Sequence, residues 1–317
     1  MATPPASTVA FIFPGQGSQA VGMGRAFYET SDAAKRVFEE ADDALGFALT
    51  RVIFEGPDAE LTLTVNTQPA VLTASVAAAG ACAERGLTPA LAAGHSLGEY
   101  SALVVAGALG LADAVRVVRR RGELMQQAVP MGTGAMAALM GIGLPVVEQV
   151  CAEAAQGEVV EVANVNAEAQ IVIAGHRTAV ERAVAVARER GGRKSVLLPV
   201  SAPFHCSLMK PATEGLAVEL AKIHVGEPAI PIVRNVDAGV TRRAADVVPF
   251  LLRQVASPVR WTECVQRLAA EGATTFIEVG PGRVLSGLAR RIVKDARTAA
   301  VEDPAGLDNA LAALQAP

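Results

Sequence analysis

The chain has 317 residues, 51% of them apolar and 19% charged, with a formal net charge of -4. This composition is globular and excludes long disorder, and the negative balance excludes a general positive field for coating nucleic acid. The length suits one large domain carrying a smaller one. Cys82, Cys151, Cys206 and Cys264 show no CxxC or CxxH spacing. Neither a disulfide framework nor a zinc site is expected, and a reduced, cytoplasmic compartment fits. The opening MATPPAS lacks the charged-then-apolar pattern of a signal peptide, and the apolar stretches are broken by polar residues or Pro, which reads as a soluble chain without a membrane segment.

Residues 8–14, TVAFIFP, form a β-branched and aromatic run that predicts a buried strand ending at the turn GQGSQ. Helical periodicity follows over 31–45 and 68–85. PALAAG (89–94) predicts a short central strand, and EYSALVVAGALG and LADAVRVVRRRGELMQQAV predict two helices. Strands alternating with helices imply a mostly parallel sheet covered on both faces. Between 130 and 199 the order changes to strand, helix, strand, strand, helix, strand, the pattern of a ferredoxin-like subdomain. The α/β pattern then resumes with a strand at PIVRNV, helices over 246–256 and 261–272, and a last strand TTFIEV. The expected architecture is an α/β-hydrolase-like domain over 1–129 and 200–317, with a ferredoxin-like subdomain over 130–199.

Gly94-His95-Ser96-Leu97-Gly98 fits G-x-S-x-G between a predicted strand and a predicted helix. In such an elbow the Ser sits on a strained turn and its flanking positions must be small, because backbone passes close by. An ordinary strand-helix turn with Ser near a helix cap would give the same pentapeptide. A Ser nucleophile needs a base. Of the four histidines, His95, His176 and His224 read as structural or solvated. His205, in PVSAPFHCSLM, stands where a strand gives way to a helix at the subdomain junction, a place where α/β scaffolds position catalytic groups. Asp113 and Glu123 lie between Ser96 and His205 but carry no motif. A carbonyl in the last turn of helix 246–256, which contains Gln254, can orient the ring instead. For an oxyanion, the Leu97 N–H is the expected first donor and the GQGSQ turn offers Gln16 as the second. Arg121 projects among Val117, Val118, Leu124 and Met125, on the apolar side of its helix. It needs an anionic partner, either a structural Glu or a substrate carboxylate.

FIFPGQGSQAVGMG, TQPAVLTASVA, GHSLGEYSAL, RRGELMQQAVP, NVNAEAQIVIAG, PVSAPFHCSLM and VGPGRVL together resemble the malonyl-CoA:acyl-carrier-protein transacylase family, over about residues 8–293. The resemblance implies ping-pong transfer of malonyl from malonyl-CoA to the phosphopantetheine thiol of acyl carrier protein, with no metal or redox cofactor. Ser96 matches the nucleophile, His205 the general base and acid, and Gln254 the residue whose main-chain carbonyl holds that His. Gln16 and Leu97 match the oxyanion donors, Arg121 the arginine that grips the malonyl carboxylate, and Gln68 and Asn166 pocket-lining positions. Phe204, just before the His, points to malonyl over branched units, although Ala202-Pro203 depart from the polyketide motif. A monomer is expected.

The carrier is acidic, so a local basic surface is expected among Arg193-Lys194, Arg242-Arg243 and Arg290-Arg291 with Lys294. Three rival readings remain: a discrete polyketide acyltransferase, a serine esterase or thioesterase, and a non-catalytic carrier-docking subunit. Gly15-Gln16-Gly17-Ser18-Gln19-Ala20 also resembles the dinucleotide fingerprint G-x-G-x-x-A. That reading requires an acidic residue ending a second strand about twenty positions on, whereas Glu39 and Glu40 fall in a predicted helix.

Overall fold

The computed structural model describes residues 8–200 and 202–315, so the opening segment read for a signal pattern lies outside the described residues. Two strands, β1 (Val9–Phe13) and β2 (Leu91–Gly94), precede the small subdomain. Its four strands are β3 (Gly134–Met140), β4 (Val160–Ala167), β5 (Gln170–His176) and β6 (Lys194–Leu197). After it come β7 (Ile232–Val233), β8 (Val240–Thr241), β9 (Thr275–Val279) and β10 (Arg297–Val301).

The larger sheet has the order β10-β9-β1-β2-β7-β8, parallel except for the pairing of β7 with β8. β1 lies at its centre because all five of its residues, VAFIF, are buried, as a strand covered on both faces must be. Its side chains alternate between two cores. Val9, Phe11 and Phe13 pack on one side with the helix Thr64–Glu84, while Ala10 and Ile12 pack on the other with Trp261 and Phe276. The expected strands at 8–14, 89–94, 231–236 and 274–279 all contribute to this sheet. Two more were not expected. RTAAV of β10 is weakly β-forming and only partly buried, and β8 is two residues long, too short for periodicity to show.

The second sheet is antiparallel with the order β4-β5-β3-β6, and helices Leu144–Ala155 and Arg177–Glu189 pack on it around a separate core. Strand order and connection match the ferredoxin-like expectation. β6 ends at Leu197 rather than running to Val200. β4 also meets the loop before helix Trp261–Ala270, where Val165 N–H donates to Val259 O and Val259 N–H to Ala163 O, both at 2.9 Å. Helix Thr64–Glu84 begins four residues before the expected 68, which places Gln68 inside its second turn.

The elbow is the tightest part of the fold. A Cβ on Gly94 would stand 1.8 Å from the Gly98 carbonyl carbon, and one on Gly98 would stand 2.2 Å from Phe13 O. Both contacts are with backbone, which cannot step aside. Gly98→Ala is therefore expected to cost at least about 3 kcal/mol. Gly110→Ala, with no atom in contact distance of the added methyl, should stay within about 1 kcal/mol. Urea unfolding midpoints of the two variants check this; equal shifts would contradict it.

Candidate active site

Ser96 sits between β2 and helix Gly98–Val105 with φ 52, the left-handed region that non-glycine residues avoid. The strained turn is held by hydrogen bonds. Ser96 N–H donates to Asn235 Oδ1 at 2.6 Å, and Asn235 Nδ2 donates to Gly94 O at 2.7 Å. The GQGSQ turn packs directly on the elbow, since a Cβ on Gly15 would lie 2.5 Å from His95 O. Its glycine thus serves a backbone approach within the protein. Glu39 and Glu40 lie in helix Asp32–Leu45, and no strand intervenes, as the argument against a dinucleotide fingerprint requires.

His205 also adopts a positive φ, 62. Its Nε2 lies 2.7 Å from Ser96 Oγ, and its Nδ1 lies 3.0 Å from Gln254 O in the last turn of helix Ala244–Val255. A carbonyl only accepts, so Nδ1 carries the proton and the Nε2 lone pair faces the serine hydroxyl, which donates to it. Burial, and then the positive charge of Arg121, push the His205 pKa down to about 3. The ring is neutral, the form a base needs.

Arg121 is 2 % exposed. Gly122 lets its helix, Leu111–Gln127, approach the start of helix Thr64–Glu84, because a Cβ there would lie 2.8 Å from Thr64 O. The guanidinium thereby reaches Gln68: Nη1 donates to Gln68 Oε1 at 2.8 Å. Nη2 donates to Gln254 Oε1 at 3.0 Å and to Ser96 Oγ at 3.2 Å. Three of five N–H donors are used, leaving two, and Nε has no partner among the described residues. No carboxylate of the described residues forms an ion pair with it. The nearest acid, Glu99, touches it only through Gln254, and burial raises the Glu99 pKa to about 7. Of the two partners considered for Arg121, a structural Glu is not the one in place.

Ser96, His205, Arg121 and Gln68 line a cavity of about 120 Å³, together with Gln16, Leu97, Met125, Met136, Asn164, Leu198 and Phe204. A wider cavity of about 550 Å³, edged by Leu63 and Met131, shares Gln16 and Val200 with it. Among the described residues, neither the Gln16 N–H nor the Leu97 N–H has an internal acceptor, so both are available to an oxyanion. Asn166 is a correction: it does not line this cavity. Its Oδ1 pairs with His95 Nε2 at 2.9 Å and faces a separate cavity behind that ring, while Asn164 lines the Ser96 cavity. β4 carries irregularities between Val162 and Asn164 and between Val165 and Ala167, which break the alternation on which face assignment depends. His176 is structural, its Nδ1 accepting from Val159 N–H.

Three groups were missed by sequence reasoning: Asn235, Glu99 and the side chain of Gln254. Glu99 carried a usable signal, an acid in an otherwise apolar or small helix, the same anomaly that singled out Arg121. Asn235, in the loop after β7, carried none.

The acyl transferase domain family matches residues 10–309. The malonyl CoA-acyl carrier protein transacylase of Bacillus subtilis (strain 168) is 49% identical over 310 residues, 98% of each chain. The crystal structure of an acyl-carrier-protein S-malonyltransferase from Burkholderia pseudomallei 1710b superposes with a TM-score of 0.94 at 49% identity, covering 96% of this chain and 99% of that one. A malonyl-transacylase in complex with its type II PKS acyl-carrier protein gives a TM-score of 0.94 at 46% identity, over 97% and 100% of the chains.

Since the His205 ring stays neutral until about pH 3, its NMR titration should show no inflection between pH 5 and 8, with the resonance assigned by its loss in His205→Asn. An inflection near the ordinary 6.5 would contradict the environment described.

Proposed function

We infer from its place in the acyl transferase domain family, to which this chain belongs, that it transfers malonyl from malonyl-CoA to the phosphopantetheine thiol of acyl carrier protein. The observation that carries the mechanism is a single hydroxyl, Ser96 Oγ, held 2.7 Å from a neutral imidazole and 3.2 Å from a guanidinium that no carboxylate of the described residues contacts.

Ser96 Oγ attacks the thioester carbonyl while His205 Nε2 takes its proton. The oxyanion that forms is received by the Gln16 and Leu97 N–H groups. As the tetrahedral adduct collapses, the C–S bond breaks, His205 protonates the departing CoA sulfur, and malonyl remains as an ester on Ser96. The carrier thiol then gives its proton to His205 and attacks the ester, and Ser96 leaves with that proton restored. The Gln254 carbonyl fixes the tautomer throughout but adds no formal charge, so imidazolium is less favoured here than beside a carboxylate. Protons and electrons balance between Ser96, His205 and the two thiols, so no metal or redox cofactor enters the reading.

Arg121 sets which acyl group is retained. Its two spare donors, together with the one now on Ser96 Oγ, offer a malonyl carboxylate charge-assisted hydrogen bonds inside a site with little water. An acetyl group leaves the cation as it is. The wider cavity leads to this point and suits the pantetheine arm, and Phe204 closes the small one against branched acyl groups.

The malonyl units are read as supplying fatty acid synthesis, with the chain working as a cytoplasmic monomer. A polyketide carrier is the second reading, favoured by the relative whose partner is one. For carrier docking the expected basic pairs do not all serve equally. Arg242 is bound to Glu271 at 2.8 Å. Lys194 pairs with Met140 across β6 and β3, Met140 pairs with Gln170, and Arg291 Nη2 donates to Gln170 Oε1 at 3.2 Å. Arg193, Lys194 and Arg291 therefore share one edge and are the favoured docking surface for an acidic carrier.

Mixing the protein with malonyl-CoA should add one malonyl group by intact mass, and Ser96→Ala should add none; an adduct on the variant would overturn the mechanism. Arg121→Ala is expected to lower malonyl transfer about a hundredfold, as the loss of a buried charge partner does, while acetyl transfer holds or rises. Equal loss of both would make the residue structural. Lys194→Glu with Arg291→Glu should raise the KM for carrier about tenfold at low salt and leave the KM for malonyl-CoA nearly as it was; an unchanged carrier KM would remove that edge from the account.

A further inference from the structure

Glu99 is 2 % exposed in a helix whose other residues are apolar or small, and no step of the transfer uses it. A carboxylate taken out of water destabilises the fold unless its oxygens are hydrogen-bonded. One oxygen, Oε2, accepts two bonds, from Gln254 Nε2 at 2.8 Å and from Asn235 N–H at 3.0 Å.

The consequence lies in the Gln254 amide. Its Nε2 faces three acceptors: Glu99 Oε2, Ser96 O at 3.0 Å and Asn235 Oδ1 at 3.4 Å. Its Oε1 is left to face Arg121 Nη2 at 3.0 Å. The reverse orientation would set a carbonyl oxygen against three acceptors and an NH₂ against a guanidinium. Glu99 and its neighbours therefore decide which end of the amide meets the arginine.

We propose that Glu99 is a positioning residue for carboxylate recognition: by accepting from Gln254 Nε2 and Asn235 N–H, it fixes the Gln254 amide so that Oε1 holds the Arg121 guanidinium beside Ser96 Oγ. Asn235 extends the same brace to the nucleophile, since its Oδ1 accepts the Ser96 N–H at 2.6 Å. Gln254 serves both halves of the site. Its main-chain carbonyl orients His205, its side chain orients Arg121, and Glu99 acts on the second. Because both bonds fall on a single oxygen, a Gln at position 99 can place its own carbonyl oxygen there, whereas a Leu offers no acceptor.

The inference rests on Arg121 as the partner of the malonyl carboxylate. Its test is the ratio of kcat/KM for malonyl-CoA to that for acetyl-CoA, with carrier protein as acceptor, in the full chain and below each variant's melting temperature. Glu99→Leu should lower the ratio about tenfold, the size of one lost hydrogen bond to a charged group, and Glu99→Gln should keep it within about threefold. Gln254→Met retains the carbonyl to His205 and should lower the ratio about as much as Glu99→Leu, and the double variant should lose no more than Gln254→Met alone. Equal losses on both substrates, or additive losses in the double variant, would show that Glu99 only fills space. A loss in Glu99→Gln equal to that in Glu99→Leu would overturn the role of the acceptor. If Glu99→Leu does not fold, Glu99→Gln and Gln254→Met still decide the matter. Arg121→Ala separates the two levels: if it leaves the ratio unchanged, the reading of Arg121 fails. If it lowers the ratio and Gln254→Met does not, the proposal for Glu99 alone fails.

Discussion

Arg121 lies 3.2 Å from Ser96 Oγ, removed from water, with neutral oxygens on three sides and no carboxylate of the described residues in contact with it. Neutral hydrogen bonds do not offset the full cost of desolvating a guanidinium. The surrounding sequence is arranged to keep it in place regardless. Gly122 admits the helix, Gln68 and Gln254 each present an amide oxygen, and the ring of Tyr100 lies 5.6 Å beneath the guanidinium carbon. The same cation holds His205 neutral by adding its charge to the effect of burial. One buried charge thus favours an anionic acyl group and keeps the base unprotonated.

That charge is useful only because the nucleophile is held next to it. Ser96 and His205 both occupy the left-handed backbone region, and each is restrained by a partner from outside its own turn, Asn235 Oδ1 for the serine and the Gln254 carbonyl for the histidine. Strain of this kind persists where the surroundings over-determine it. The larger sheet supplies the elbow, the GQGSQ turn and the helix end. β3 and β4 supply Met136 and Asn164, and the chain just after β6 supplies Leu198 and Val200, on the opposite wall. The cavity lies between the two sheets, close to where β4 meets Val259.

Much of this was legible in the sequence. VAFIF could only be a strand buried on both faces, the two glycines of G-x-S-x-G forecast a crowded turn, and Arg121 betrayed itself by standing among Val117, Val118, Leu124 and Met125. Those signals are local, and periodicity or steric need expresses them directly. What escaped depends on contacts across long separations or on broken alternation. Asn235 reaches Ser96 across 139 positions with no motif around it. Asn166 was read as lining the pocket where Asn164 stands, because β4 is irregular at two points. Gln254 was read for its carbonyl, while its side chain, which binds Arg121, Glu99 and Ser96 O, was unforeseen. β10 and the helix Pro304–Gln315 lie past the last motif and carry ordinary small residues.

The central claim is that an ester-bound malonyl group turns its carboxylate onto a guanidinium already waiting for it. A crystal structure of the malonyl-enzyme tests this most directly. The account predicts the carboxylate within hydrogen-bond distance of Arg121, with Gln68 still bound to Nη1 and His205 Nδ1 still on the Gln254 carbonyl. A carboxylate turned toward the wider cavity, with Arg121 paired only to its two amides, would contradict it.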